Sequence, residues 1–143
     1  MRKLLSVLAV AALAIVAAAP AAGAQDVKVI VNSANPLSEL PTSDVAGLFL
    51  KRTLKFPGGG AAVPVDQAKG SAIRGVFART MLGRPASAVD AYWQQQIFAG
   101  GELPPAAKGS DDDVVAFVKA TPGAIGYVSA GASVAGVKVV KVK

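Results

Sequence analysis

The residues best suited to chemistry lie in "DQAKGSAIRGVFARTMLG", positions 66–83, where Gly70 and Ser71 open what reads as a helix and Lys69 and Arg74 flank them. A helix start offers backbone N–H groups without intrahelical acceptors, and its dipole favours negative charge. With a hydroxyl and two cations beside it, such a start forms a seat for a small anion. The blander reading of the same residues, a capped helix with solvated charges, is the stronger of the two. Asp66 heads the stretch, where it either repels an anion or pairs with Arg74.

Little else in the chain suggests reactivity. There is no histidine and no cysteine, which removes the Ser–His arrangement, the imidazole base, the thiolate nucleophile and the usual zinc ligands. Carboxylate-based hydrolysis needs two acids converging in a pocket, and the 9 acidic residues read mostly as caps and surface charges. Asp111, Asp112 and Asp113 suggest a hard cation by ligand type. Their position favours another role: they fill the first turn of a helix capped by Ser110, with Asp113 at the capping-box position. No metal, no cofactor and no enzymatic activity are expected.

The chain opens with Arg2 and Lys3, runs uncharged from Leu4 to Ala19, and reaches Pro20 and Ala22-Gly23-Ala24. This is the layout of a secretory signal over residues 1–24, cleaved before Gln25. The expectation is therefore a periplasmic or secreted protein with no membrane segment after cleavage. Residues 25–143 suffice for one domain. Without Arg2 and Lys3, 13 basic residues face 9 acidic ones and the net charge falls from +6 to +4. The charges are scattered and aromatics are few, so nucleic acid is not an expected partner.

Several elements must position the Gly70-Ser71 start. "DVKVIVN" alternates as a strand, and Asn32 to Pro36 turns the chain. Thr42 or Ser43 is placed to cap a short helix carrying Val45, Leu48 and Phe49. "KFPGGG" is a turn, and "AAVPVD" a short strand that Pro64 marks as an edge or a strand end. Ile73, Val76, Phe77 and Met81 recur at helical spacing up to Gly83. In the next helix, Val89, Trp93 and Ile97 form one stripe ending at Gly100-Gly101. "ELPPAAKG" reads as a loop. Val114, Val115, Phe117 and Val118 give the next helix its buried face, and Ala124 to Val128 form a buried strand. "GVKVVKVK" suits an exposed edge strand guarded by its lysines. Strands interleaved with helices predict an α/β fold with a small mixed sheet flanked by helices.

Four segments in order, "GLFLKRTLKFPGGG", "VPVDQAKGSAIRGVF", "YWQQQIFAG" and "TPGAIGYVS", resemble the substrate-binding proteins of phosphate ABC transporters. These are members of the type 2 periplasmic binding protein superfamily, and the likeness is to their small single-lobe relatives. In that family a helix ending like "iFlGk...W.dG" precedes a Gly-Ser helix start, a Trp-containing helix and "pGaIGYv". The order holds across nearly all of residues 25–143. "PGAIGYV" is the most specific element and reads as architectural, with Gly126 permitting close backbone approach and Tyr127 bringing its hydroxyl near a rim.

The resemblance implies a single lobe of the fold, whereas the phosphate-binding relatives hold their ligand between two. It also implies a ligand phrase like "R.dgSGT". Here Gly70 and Ser71 match, Ala72 and Ile73 stand where Gly and Thr would be, and Asp66 and Gln67 occupy the region of the arginine. The expected function is that of an exported, non-enzymatic binding protein. It takes a small phosphate-like anion weakly through Lys69, Gly70, Ser71 and Arg74. The alternative is a periplasmic interaction module that has lost ligand binding, with a transporter, a sensor or a second copy as its partner.

Overall fold

The computed structural model describes residues 26–143; the signal expected over residues 1–24 lies outside the described residues. Six strands form one mixed sheet: β1 (Val27–Asn32), β2 (Glu39–Leu40), β3 (Val63–Gln67), β4 (Ala106–Lys108), β5 (Ala124–Ser129) and β6 (Val137–Val142). Their spatial order is β2-β6-β1-β5-β3-β4. The helices are α1 (Thr42–Phe49), α2 (Ala72–Met81), α3 (Ala86–Phe98) and α4 (Asp111–Ala120). The described residues thus form the expected α/β fold, a small mixed sheet flanked by helices.

The central strands β1 and β5 are buried on both faces, so the sheet has two cores. On one face Val29, Val31, Ile125 and Tyr127 meet Leu48 and Phe49 of α1 and Phe77 of α2. On the other, Ile30, Val65 and Val128 meet Val114 and Val118 of α4. The third helix lies outside the second, joined through Ala78, Val89 and Trp93. At Gly126 a side chain would be intolerable, since a Cβ there would lie 2.7 Å from Val114 Cγ1 and 2.8 Å from Val65 Cγ1.

The structure corrects several sequence expectations, each for a local reason. The final strand is not an edge: β6 lies between β1 and the two-residue β2, which pairs with Lys141 and Val142. "ELPPAAKG" is not all loop, because Ala106–Lys108 pairs with Val65, Asp66 and Gln67 of β3. Pro64 marks a strand end within the sheet: β4 begins its pairing one residue later, so no ladder bond needs the missing N–H. The first helix starts at Thr42 after Pro41, which caps it without a side-chain bond, and neither Thr42 nor Ser43 is the cap. In α3, Val89 and Trp93 are buried as the stripe predicts, whereas Ile97 is 53% exposed.

Candidate functional site

The Gly-Ser start sits where β3 ends. β3 is parallel to both β4 and β5, and the carboxyl ends of parallel strands are where open α/β sheets hold ligands. After Gln67 the chain turns through Gly70, whose φ of +86° needs glycine. The turn is closed by the Ser71 N–H donating to the Ala68 carbonyl at 3.1 Å. Ser71 is the N-cap of α2 but makes no side-chain cap bond; its hydroxyl donates to Gln67 Oε1 at 3.3 Å. Ser71's own N–H is therefore taken, and the amides of Ala72 and Ile73 remain at the head of the helix.

Arg74 turns inward. Its residue exposure is only 7%, and it is held by two carboxylates. Nε donates to Asp66 Oδ2 at 3.3 Å, and Nη2 donates to Asp90 Oδ1 at 2.8 Å. Burial alone would lower the guanidinium's pKa, but the bond to Asp90 and the charges of Asp66 and Asp90 outweigh it, and the pKa is raised. Asp66 thus pairs with Arg74, which settles the choice the sequence left open. Lys69 stays outside: its side chain is 76% exposed, and its ammonium lies 4.0 Å from Asp90 Oδ1.

The network continues into the core. The Tyr127 hydroxyl donates to Asp66 Oδ1 and accepts from the Gln67 N–H at 3.2 Å. Tyr127 is fully buried, so its hydroxyl is at the floor of the site and not at a rim. Its ring lies parallel on Phe77, centroids 3.8 Å apart, with Phe49 edge-on at 5.8 Å. Burial, then the neighbouring Asp66 charge, raises the phenol's pKa well above its ordinary value. Gln67 ties the strand end to α4 by donating to Asp111 Oδ1 at 2.8 Å, which also accepts from the Ser129 N–H at 3.2 Å. Ser110 caps α4 by accepting from the Asp113 N–H at 3.1 Å. Asp111, Asp112 and Asp113 all lie in the first turn of α4, and no metal-holding acid cluster is found among the described residues.

Above the network lies a cleft of about 210 Å³. Asp66, Lys69 and Arg74 line one side, and Asp90, Trp93, Gln94 and Ile97 of α3 line another, with Pro104 and Pro105 closing it. The α3 residues fall at i, i+3, i+4 and i+7, one face of the helix. Sequence reasoning missed Asp90, Gln67, Asp111 and the position of the Tyr127 hydroxyl. For Asp90 a signal existed, since it shares helical spacing with Trp93 and Ile97. A larger hollow of about 570 Å³ lies at the opposite end of the sheet, among Asn35, Phe56, the Gly58–Gly60 turn and Pro122, with no charged side chain in its lining.

The fold is similar to part of the fold of solved periplasmic binding proteins. In particular, the chain is similar to structures of the phosphate-transport class. One is an ABC-type phosphate transport receptor from Vibrio cholerae (17% identity, TM-score 0.64, covering 81% of this chain and 45% of that one). Another is PstS from Borrelia burgdorferi (13% identity, TM-score 0.63, covering 82% and 47%). A third is a Clostridium perfringens protein described as a phosphate ABC transporter substrate-binding protein with bound phosphate (22% identity, TM-score 0.56, covering 81% and 44%). The chain thus spans less than half the length of each. No protein-family model and no curated protein matches it.

Proposed function

We propose that this chain is an exported, non-enzymatic binding lobe that takes a small phosphate-like anion weakly at the head of α2. The observation that carries the reading is the position of the Gly70-Ser71 turn. It lies at the carboxyl end of β3 in the fold of phosphate-transport receptors, with the amides of Ala72 and Ile73 and the Lys69 ammonium beside it. Weakness follows from Arg74, whose charge already meets Asp66 and Asp90. An arriving anion gains from helix dipole and amides but finds no uncompensated buried cation. A dissociation constant near ~1 mM, equivalent to about 4 kcal/mol, is expected. The absence of histidine and cysteine, and the structural employment of Asp66, Asp90 and Asp111, support a role in binding rather than catalysis.

Titration calorimetry with phosphate and sulfate tests this reading; heats indistinguishable from dilution up to ~10 mM would remove it. A second reading, an interaction module, draws support from Phe98 (96% exposed), Leu103 (64%) and Ile97 (53%) at the C-terminal end of α3 and the loop after it. Exposed apolar groups of this size favour a protein contact. Light scattering separates the two, since self-association that buries this ridge would raise the mass above that of one chain.

A further inference from the structure

The cleft above the Asp66–Arg74–Asp90 network carries features that an inorganic anion does not use. Every buried side-chain nitrogen and oxygen among the described residues has a hydrogen-bond partner. Arg74 spends Nε and Nη2 on the two aspartates, leaving Nη1 without a partner among the described residues. The indole N–H of Trp93 makes no hydrogen bond there either, although the residue is only 5% exposed. Since neither nitrogen is both buried and unpaired, both reach solvent, and both side chains line the cleft. Two side chains with a free planar donor thus line the cleft together with the apolar Ile97, Pro104 and Pro105.

We infer that this cleft binds a small organic monocarboxylate with a short apolar tail. The inference rests on the reading of this strand end as an anion site, and gives that site a carboxylate ligand and donors in the neighbouring cleft. Two cations and two carboxylates line the cleft, so the site is close to neutral. A dianion would enter with one charge more to desolvate than a monoanion. The carboxylate accepts from Arg74 Nη1 and the Trp93 indole N–H, and Lys69 lies at the mouth. The tail lies along Ile97 and the prolines. A volume of about 210 Å³ is below the ~300 Å³ of sites for drug-sized ligands, which limits the tail to a few carbons.

Trp93 is the sole tryptophan of the chain, so its emission reports the cleft directly. The purified protein is titrated at constant pH and ionic strength with acetate, propionate, butyrate, butyramide and inorganic phosphate, with calorimetry in parallel to catch binding that leaves the emission unchanged. The expected result is saturable binding of the carboxylates, tightening roughly fourfold per added methylene, with butyramide bound at least tenfold more weakly than butyrate. Ile97→Ala, at an exposed position, should leave the fold intact and flatten the chain-length dependence. Phosphate binding without carboxylate binding would overturn the inference and leave the broader anion reading standing. Equal binding of butyramide and butyrate would overturn it by showing an apolar slot alone. No binding of any anion would overturn both.

Discussion

Arg74 Nε lies 3.3 Å from Asp66 Oδ2, joining the first turn of α2 to the end of the strand that precedes it. A second carboxylate, Asp90, holds the same guanidinium from α3. The residue that the sequence offers as an anion ligand is thus first a buried clamp. Removing it leaves two partly buried carboxylates without their shared cation, which costs more than never having built the pair. Arg74→Ala should lower unfolding stability by about 2–3 kcal/mol in urea titrations, since two charge-assisted bonds are lost while water partly screens the carboxylates left behind. Asp90→Asn, at a side chain that is 27% exposed, should cost clearly less because water screens the pair there.

Tyr127 makes the fold sensitive to alkali. Its folded pKa is raised, so its contribution is fully present below the unfolded value of about 10 and is lost as pH rises toward the folded value. Ultraviolet titration should show that one of the two tyrosines ionises only as the chain unfolds. Tyr127→Phe, which keeps the stacking on Phe77, should abolish that coupled step.

The two serine caps should differ in effect. Ser110 accepts a bond from the Asp113 N–H, so Ser110→Ala should cost about 1 kcal/mol. Ser71 makes no cap bond, and Ser71→Ala should cost less than about 0.5 kcal/mol. Thermal melts of the two variants side by side check the order; equal losses would mean that the bond from Ser71 to Gln67 is worth as much as a cap bond.

Gly126 tests the packing of the sheet against α4. A Cβ there would overlap Val65 and Val114, and Gly126→Ala should destabilise by roughly 1–3 kcal/mol through overpacking. The head of α2 lies away from this contact, so anion binding should survive in the fraction that folds.

Much of the fold is legible in the sequence because its elements are strongly patterned. The alternation of Val27, Val29 and Val31, the spacing of Ile73, Phe77 and Met81, and the glycine stops at 83 and 100 each state a local rule the chain obeys. What the sequence hides is pairing between distant segments. Nothing local tells Ala106–Lys108 to join β3, or Glu39–Leu40 to cover β6, since strands so short carry no period of their own. The site follows the same division. Gly70, Ser71, Lys69 and Arg74 are visible as a group because they are neighbours in sequence. Asp90, Asp111 and Tyr127 reach the group only through tertiary structure, from 16 residues beyond Arg74, 44 beyond Gln67 and 61 beyond Asp66. Of these, Asp90 joins Asp66 in compensating the Arg74 charge, the feature from which the proposed weakness of anion binding follows.

Amide chemical shifts of the protein titrated with phosphate measure the central claim directly, because they locate an anion as well as detect it. The account predicts saturable shifts confined to Lys69 through Arg74 and the facing turn of α3, with a midpoint near ~1 mM. Shifts spread evenly over exposed lysines, or centred on the Gly58–Gly60 turn at the other end of the sheet, would contradict it.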